Sequence, residues 1–146
     1  MESSVDLHPD FPVVTDTYQL TEEWSIDLPS PHNRRIEDDS LVLWQPGRTA
    51  WIIVWGNDHN ESIEEKASWL KKDISANSYD LKEEISAEIY LIGYRLKEAE
   101  SEKITYSYNG FAISNTGHVQ ISIYFDSEQD YREAENMLFS LTSSAP

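Results

Sequence analysis

Residues 49–55 read Thr49-Ala50-Trp51-Ile52-Ile53-Val54-Trp55 and contain the longest apolar run in the chain. Every residue from Trp51 to Trp55 is β-branched or aromatic, the side-chain types that fit a pleated, packed surface. The run does not alternate with polar residues, as expected of a central strand covered on at least one face. In such a strand Trp51, Ile53 and Trp55 share one side, and Ile52 and Val54 the other.

The neighbouring segments take their meaning from this strand. Upstream, Pro46-Gly47 is a turn signal, so Ser40-Leu41-Val42-Leu43-Trp44 reads as an adjoining strand, with residues 34–37 before it. Further upstream, Tyr18-Gln19-Leu20 and Trp24-Ser25-Ile26-Asp27-Leu28 suggest two short strands around a bend at Thr21-Glu22-Glu23. Pro29-Ser30-Pro31 stops the second, because proline has no ladder donor. Residues 1–15, with Pro9 and Pro12 and little periodicity, are expected to form a flexible arm.

Downstream, Gly56-Asn57-Asp58-His59-Asn60 ends the strand. Ser62-Ile63-Glu64-Glu65 then matches a capping box. Ile63, Ala67, Leu70 and Ile74 follow at helical spacing, predicting a helix to about Ala76. Trp69 lies roughly 100° from Leu70 on the wheel, at the edge of the apolar stripe or outside it. Residues 81–85 read as a possible strand, residues 87–96 alternate weakly, and residues 98–102 form a charged turn. Ile104-Thr105-Tyr106-Ser107-Tyr108 alternates cleanly. Asn109-Gly110 is either a type I′ hairpin turn or a bulge within a longer strand. After the turn Asn115-Thr116-Gly117, residues 118–125 alternate with the clearest period in the chain: Val119, Ile121, Ile123 and Phe125 against His118, Gln120, Ser122 and Tyr124. Asp126-Ser127-Glu128 opens a last helix whose stripe is Tyr131, Ala134, Leu138 and Leu141. Residues 143–146 should fray. The expected fold is α+β: one domain over residues 16–142, with a single twisted antiparallel sheet of about six strands covered by two helices on one face.

The 146 residues carry 27 acidic and 11 basic side chains, a formal charge of −16. That balance argues against nucleic acid as a partner, since phosphate contacts need a basic surface. The absence of cysteine removes disulfides, Cys-ligated zinc, iron–sulfur clusters, thiol nucleophiles and acylated-cysteine anchors. Hydrophobic content is only 39%, yet 17 aromatic residues argue for a folded acidic domain over a disordered one. The opening residues show neither a basic nor an apolar targeting region, and no run is long enough to span a bilayer. A cytoplasmic protein without membrane contacts, monomeric or weakly dimeric, is the expectation. Residues 1–40 hold ten carboxylates against Arg34 and Arg35, the most one-sided block of the sequence.

Little in the sequence points to catalysis. His8, His32, His59 and His118 lack metal-ligand spacing on any expected helix. His59 falls in a loop, and His118 should sit solvated on a polar strand face. Adjacent acid pairs diverge on strands and helices alike, so they do not form acid–base pairs. No calcium loop, phosphate-binding glycine loop or Gly-x-Ser-x-Gly is present. No catalytic residue, metal or cofactor is therefore expected. Trp44, Trp51, Trp55 and Tyr106 should fill the core. The alternative is that they line a ligand pocket between sheet and helix. An exposed Trp69 on a charged helix would pack under a loop or meet a partner.

The element order resembles the Mog/PsbP-like fold family. The residues that carry the resemblance are Trp24-Ser25-Ile26-Asp27-Leu28-Pro29, Leu41-Val42-Leu43, the helix over residues 62–74, Ile121-Ser122-Ile123-Tyr124-Phe125-Asp126 and residues 131–141. The resemblance implies a non-enzymatic protein that binds other proteins, some bacterial relatives being chaperones or adaptors for secreted effector toxins. The expected function is an acidic protein-binding domain, an immunity protein that neutralises a basic bacterial toxin. Its rivals are a chaperone holding an apolar segment of a secreted effector, and a small-ligand-binding protein. The partner-binding candidates are Glu37, Asp38 and Asp39 in one turn, together with Trp69.

Overall fold

A computed structural model describes residues 7–144. In chain order the strands are β1 (Val13–Val14), β2 (Thr17–Gln19), β3 (Trp24–Asp27), β4 (His32–Glu37), β5 (Ser40–Gln45) and β6 (Arg48–Gly56). Helix α1 (Ile63–Lys71) follows, then β7 (Tyr79–Ile85), β8 (Tyr90–Glu100), β9 (Lys103–Ser114) and β10 (Gly117–Phe125). A single 3-10 turn leads into α2 (Tyr131–Phe139), and β11 (Thr142–Ser143) ends the described chain. The main sheet is antiparallel with eight strands in the order β1-β4-β5-β6-β10-β9-β8-β7, and a small sheet has the order β11-β3-β2. The run at residues 49–55 is indeed central, with β5 on one side and β10 on the other.

This architecture corrects the α+β expectation of about six strands under two helices. Strand accounts for 51% of the described residues and helix for 15%, so the described chain is mostly sheet. One local reading of the sheet differs. Asn109-Gly110 neither turns nor bulges: β9 runs through it, with unbroken register to both β8 and β10. Gly110 lies opposite Gly93, and a Cβ there would overlap the Ile92 carbonyl and come within 2.7 Å of Leu138. The glycine thus serves close packing instead of a reversal. The possible strand at residues 81–85 does form, as β7, starting two residues earlier at Tyr79 and lying at the sheet edge. Helix α1 also stops at Lys71, where i→i−3 bonds from Lys72, Asp73 and Ile74 tighten the chain into a turn.

The two helices cover opposite faces of the main sheet, not one. Ala134, Met137 and Leu138 of α2 join Trp24 and Ile26 of the small sheet over Leu43, Ile52, Ala112, Val119, Ile121 and Ile123, forming the main core. Ile63, Ala67 and Leu70 of α1 pack on Tyr90, Ile92, Phe111 and Ile113 in a second, smaller cluster. Helix α1 therefore roofs only the β8–β9 side of its face. The β6 and β5 residues on that face, Trp51, Ile53, Trp55 and Trp44, remain partly or largely open.

Near the ends of the chain, Val13 and Val14 pair with Asn33 and His32, and Asn33 accepts from the His8 backbone N–H at 2.7 Å. Residues 1–6 of the expected arm and residues 145–146 of the expected tail lie outside the described residues. No helix among the described residues is long and apolar enough to cross a membrane.

Candidate functional site

The sheet face that α1 leaves open becomes a cleft beside the helix. Its volume is about 630 Å³, within the range of roughly 300–1,000 Å³ usual for ligand pockets. Trp55 of β6 and Trp69 of α1 line it, with His118 of β10 among its lining residues. Lys66, Asp58, Glu61 and Asp73 supply its charges.

Local sequence rules build each wall. Register pairs Trp55 with His118, so both rings leave the same face, stacked with centroids 6.0 Å apart and planes 9° from parallel. At Gly117 the strands approach so closely that a Cβ would overlap the Trp55 carbonyl. The rim loop is held by Asn57. Its Nδ2 donates to the carbonyls of Glu61 and Asn115, each at 2.8 Å, and its Oδ1 accepts from the Glu61 N–H at 3.0 Å. The capping box expected at Ser62 forms in full: Ser62 Oγ accepts from the Glu65 N–H, and Glu65 Oε1 accepts from the Ser62 N–H. Those bonds fix where α1 starts and hence where Trp69 stands, two turns on.

The floor is buried but polar. His118 is only 4% exposed, against the expectation of a solvated residue. The stacked Trp55 ring and the nearby Lys66 of α1 shield it at this end of the polar face, which strand alternation alone does not reveal. Burial, with the positive charge of Lys66 second, pushes its imidazole down to about 4, so the ring is neutral at pH 7. Its Nδ1 is sealed from solvent without a hydrogen-bond partner. Lys66, itself buried, is matched by Glu61 at 3.4 Å. Asp58 and Asp73 have no cationic partner among the described residues, so the cleft is net negative.

The aromatic expectation needs correcting too. Trp55 is 49% exposed and is not a core residue. Trp44 and Trp51 are half-buried, sheltered by the Arg35 guanidinium at 4.6 and 5.7 Å from their ring centroids, and Phe11 packs edge-on against Trp44.

Of the four candidate partner-binding residues, Trp69 is 54% exposed, as its place beside the apolar stripe predicts. Glu37, Asp38 and Asp39 do not line the cleft. Asp38 and Asp39 form the tip of the β4–β5 hairpin with φ of +49° and +70°, the left-handed pair of a type I′ turn. Asp tolerates that conformation better than most residues. Carrying the Leu41–Ile52 register outward brings this tip level with Trp55, one strand over, so turn and cleft share an end of the sheet. Glu37 is engaged by Arg35 at 3.0 Å. Asp58 and His59 belong to the loop Asp58-His59-Asn60, the one loop whose residues suggest a site from sequence, and both line the cleft; His118 and Asp73 carry no such local signal. Among the described residues no group of three or more His, Asp or Glu side chains could hold a metal ion. No family model matches the chain, and no curated protein matches it.

Proposed function

We propose that this protein is an acidic binding domain for a basic protein partner, such as a cationic toxin that it would neutralise. The observation that carries the reading is the coincidence of two features at one end of the sheet. The exposed indoles of Trp55 and Trp69 stand beside Asp58 and Asp73, carboxylates without a cationic partner among the described residues, with Asp38 and Asp39 level with them. Exposed tryptophans supply anchoring area, and a surrounding negative field steers a cationic partner into place. The overall charge of −16 extends that field over the molecule. Steering of this kind raises association rates by roughly 10- to 1,000-fold at low salt.

A chaperone for a long apolar segment has less support, because Arg35 and Phe11 already cover much of Trp44 and Trp51. The test is capture from the native lysate at low and high salt, with the wild type and with a Glu37→Gln, Asp38→Asn, Asp39→Asn variant. Asparagine keeps the left-handed turn and removes the charge. A basic partner whose association rate falls with salt and with the variant is expected. An acidic or neutral partner, or an association rate indifferent to salt, would refute the reading.

A further inference from the structure

We propose that the cleft between α1 and the sheet is an anchor pocket for one arginine side chain of the protein partner. This rests on the binding reading above and names the group that enters the site. The argument comes from how this chain holds its own arginines. A guanidinium is planar and weakly hydrated, stacks on aromatic faces and carries five N–H donors but no acceptor. Arg35 shows the stacking mode, lying over Trp44 and Trp51 on the same sheet face as the cleft. Arg48 shows the hydrogen-bonding mode: its Nε donates to Nε2 of buried His32 at 3.3 Å, and its Nη1 meets the Glu133 carboxylate at 2.5 Å.

The cleft offers both modes together and contains no arginine. Trp55, stacked on His118, and the exposed Trp69 supply aromatic surface. His118 is a second buried, neutral histidine, like His32, with Nδ1 sealed off and without a hydrogen-bond partner among the described residues. That leaves Nε2 as the nitrogen available to an incoming donor, and an arriving N–H would fix the Nδ1–H tautomer. Asp58 and Asp73 are carboxylates without a cation. The one resident cation, Lys66, is already matched by Glu61 and does not neutralise them. Lysine fits less well: its ammonium is compact and strongly hydrated and gains less from two indoles and an imidazole.

The test needs no knowledge of the partner. The isotope-labelled full chain is titrated with N-acetyl-arginine-N′-methylamide and followed by its amide and indole N–H resonances. Saturable shifts at Trp55, Trp69 and His118 are expected. The uncharged citrulline analogue should bind about tenfold more weakly or worse, since it loses the charge-assisted hydrogen bonds, and the lysine analogue should also bind more weakly. A Trp69→Ala chain, and separately an Asp58→Asn, Asp73→Asn chain, should lose most of the affinity. Both alter exposed side chains, and unchanged spectra elsewhere establish that they fold. Equal binding of arginine and citrulline analogues, or shifts confined to the Asp38–Asp39 hairpin, would overturn the proposal. So would free L-arginine binding more than about tenfold tighter than the blocked residue, which would make the site one for a small metabolite. If the arginine probe fails while a basic partner is captured in a salt-dependent way, the anchor falls and the binding reading stands. If the probe binds while no basic partner is captured, the binding reading falls and the proposal of a partner's arginine falls with it.

Discussion

Lowering the pH from about 7.5 to about 5.5 should destabilise this protein through two histidines that the fold keeps uncharged. His32 and His118 both have folded values of about 4, against 6.5 for the free side chain. Burial is the main cause at each. Arg48 adds to it at His32, where the Ser30 carbonyl and Glu133 act in the opposite sense, and Lys66 adds to it at His118. Because the folded values are the lower ones, the unfolded chain takes up protons first. The stability that depends on neutral histidine is complete above about pH 6.5 and is lost as the pH falls toward 4. At pH 5.5 the deficit is on the order of 1 kcal/mol for each histidine, or roughly 2–3 kcal/mol for the pair if they act independently. Most carboxylates are still ionised there, so acid titration contributes little. Urea unfolding at the two pH values measures the difference. His118→Phe, which keeps a ring against Trp55, should remove about half of it. Stability that stays flat or rises on acidification, or a slope that His118→Phe leaves intact, would refute the reasoning.

Other substitutions probe separate parts of the structure. Leu138→Ala, in the fully buried contact of α2 with the sheet, should cost about 2–5 kcal/mol in urea unfolding. Gly110→Ala should cost about 1–3 kcal/mol or more by the same assay, because the added carbon meets backbone as well as Leu138. Ser62→Ala breaks the capping box and should cost about 1 kcal/mol, with faster amide exchange in the first turn of α1. Trp69→Ser should change stability by less than about 0.5 kcal/mol while abolishing partner capture. A large loss of stability would mean that Trp69 packs structurally.

What could be read from the sequence followed the strength of its local signals. Residues 118–125 alternate without interruption, and the structure pairs them on both sides as β10. The capping box at Ser62 depends on four consecutive residues, so nothing distant could mask it. Asn109-Gly110 carried an equally familiar turn signal, yet it lies within β9, because Gly110 is needed opposite Gly93 beneath Leu138. That requirement is tertiary and leaves no local trace. The cleft was hidden for a related reason. Alternation places His118 on a polar face but does not say whether water or other side chains lie over it. The run at residues 49–55 likewise predicts burial of Trp55 without revealing that α1 stops short of it.

The central position of β10 also bears on how the chain folds. Its partner β6 ends at Gly56, and β10 begins at Gly117, so about sixty residues separate the two sides of that ladder. Closing so long a loop costs entropy before any pairing offsets it. Until β10 docks, β6 presents a bare edge carrying Trp51, Ile53 and Trp55. A refolding time in the range of milliseconds to seconds is expected for this topology. The strong like charge of the chain then matters before the native state exists, since it keeps two such edges from finding each other first.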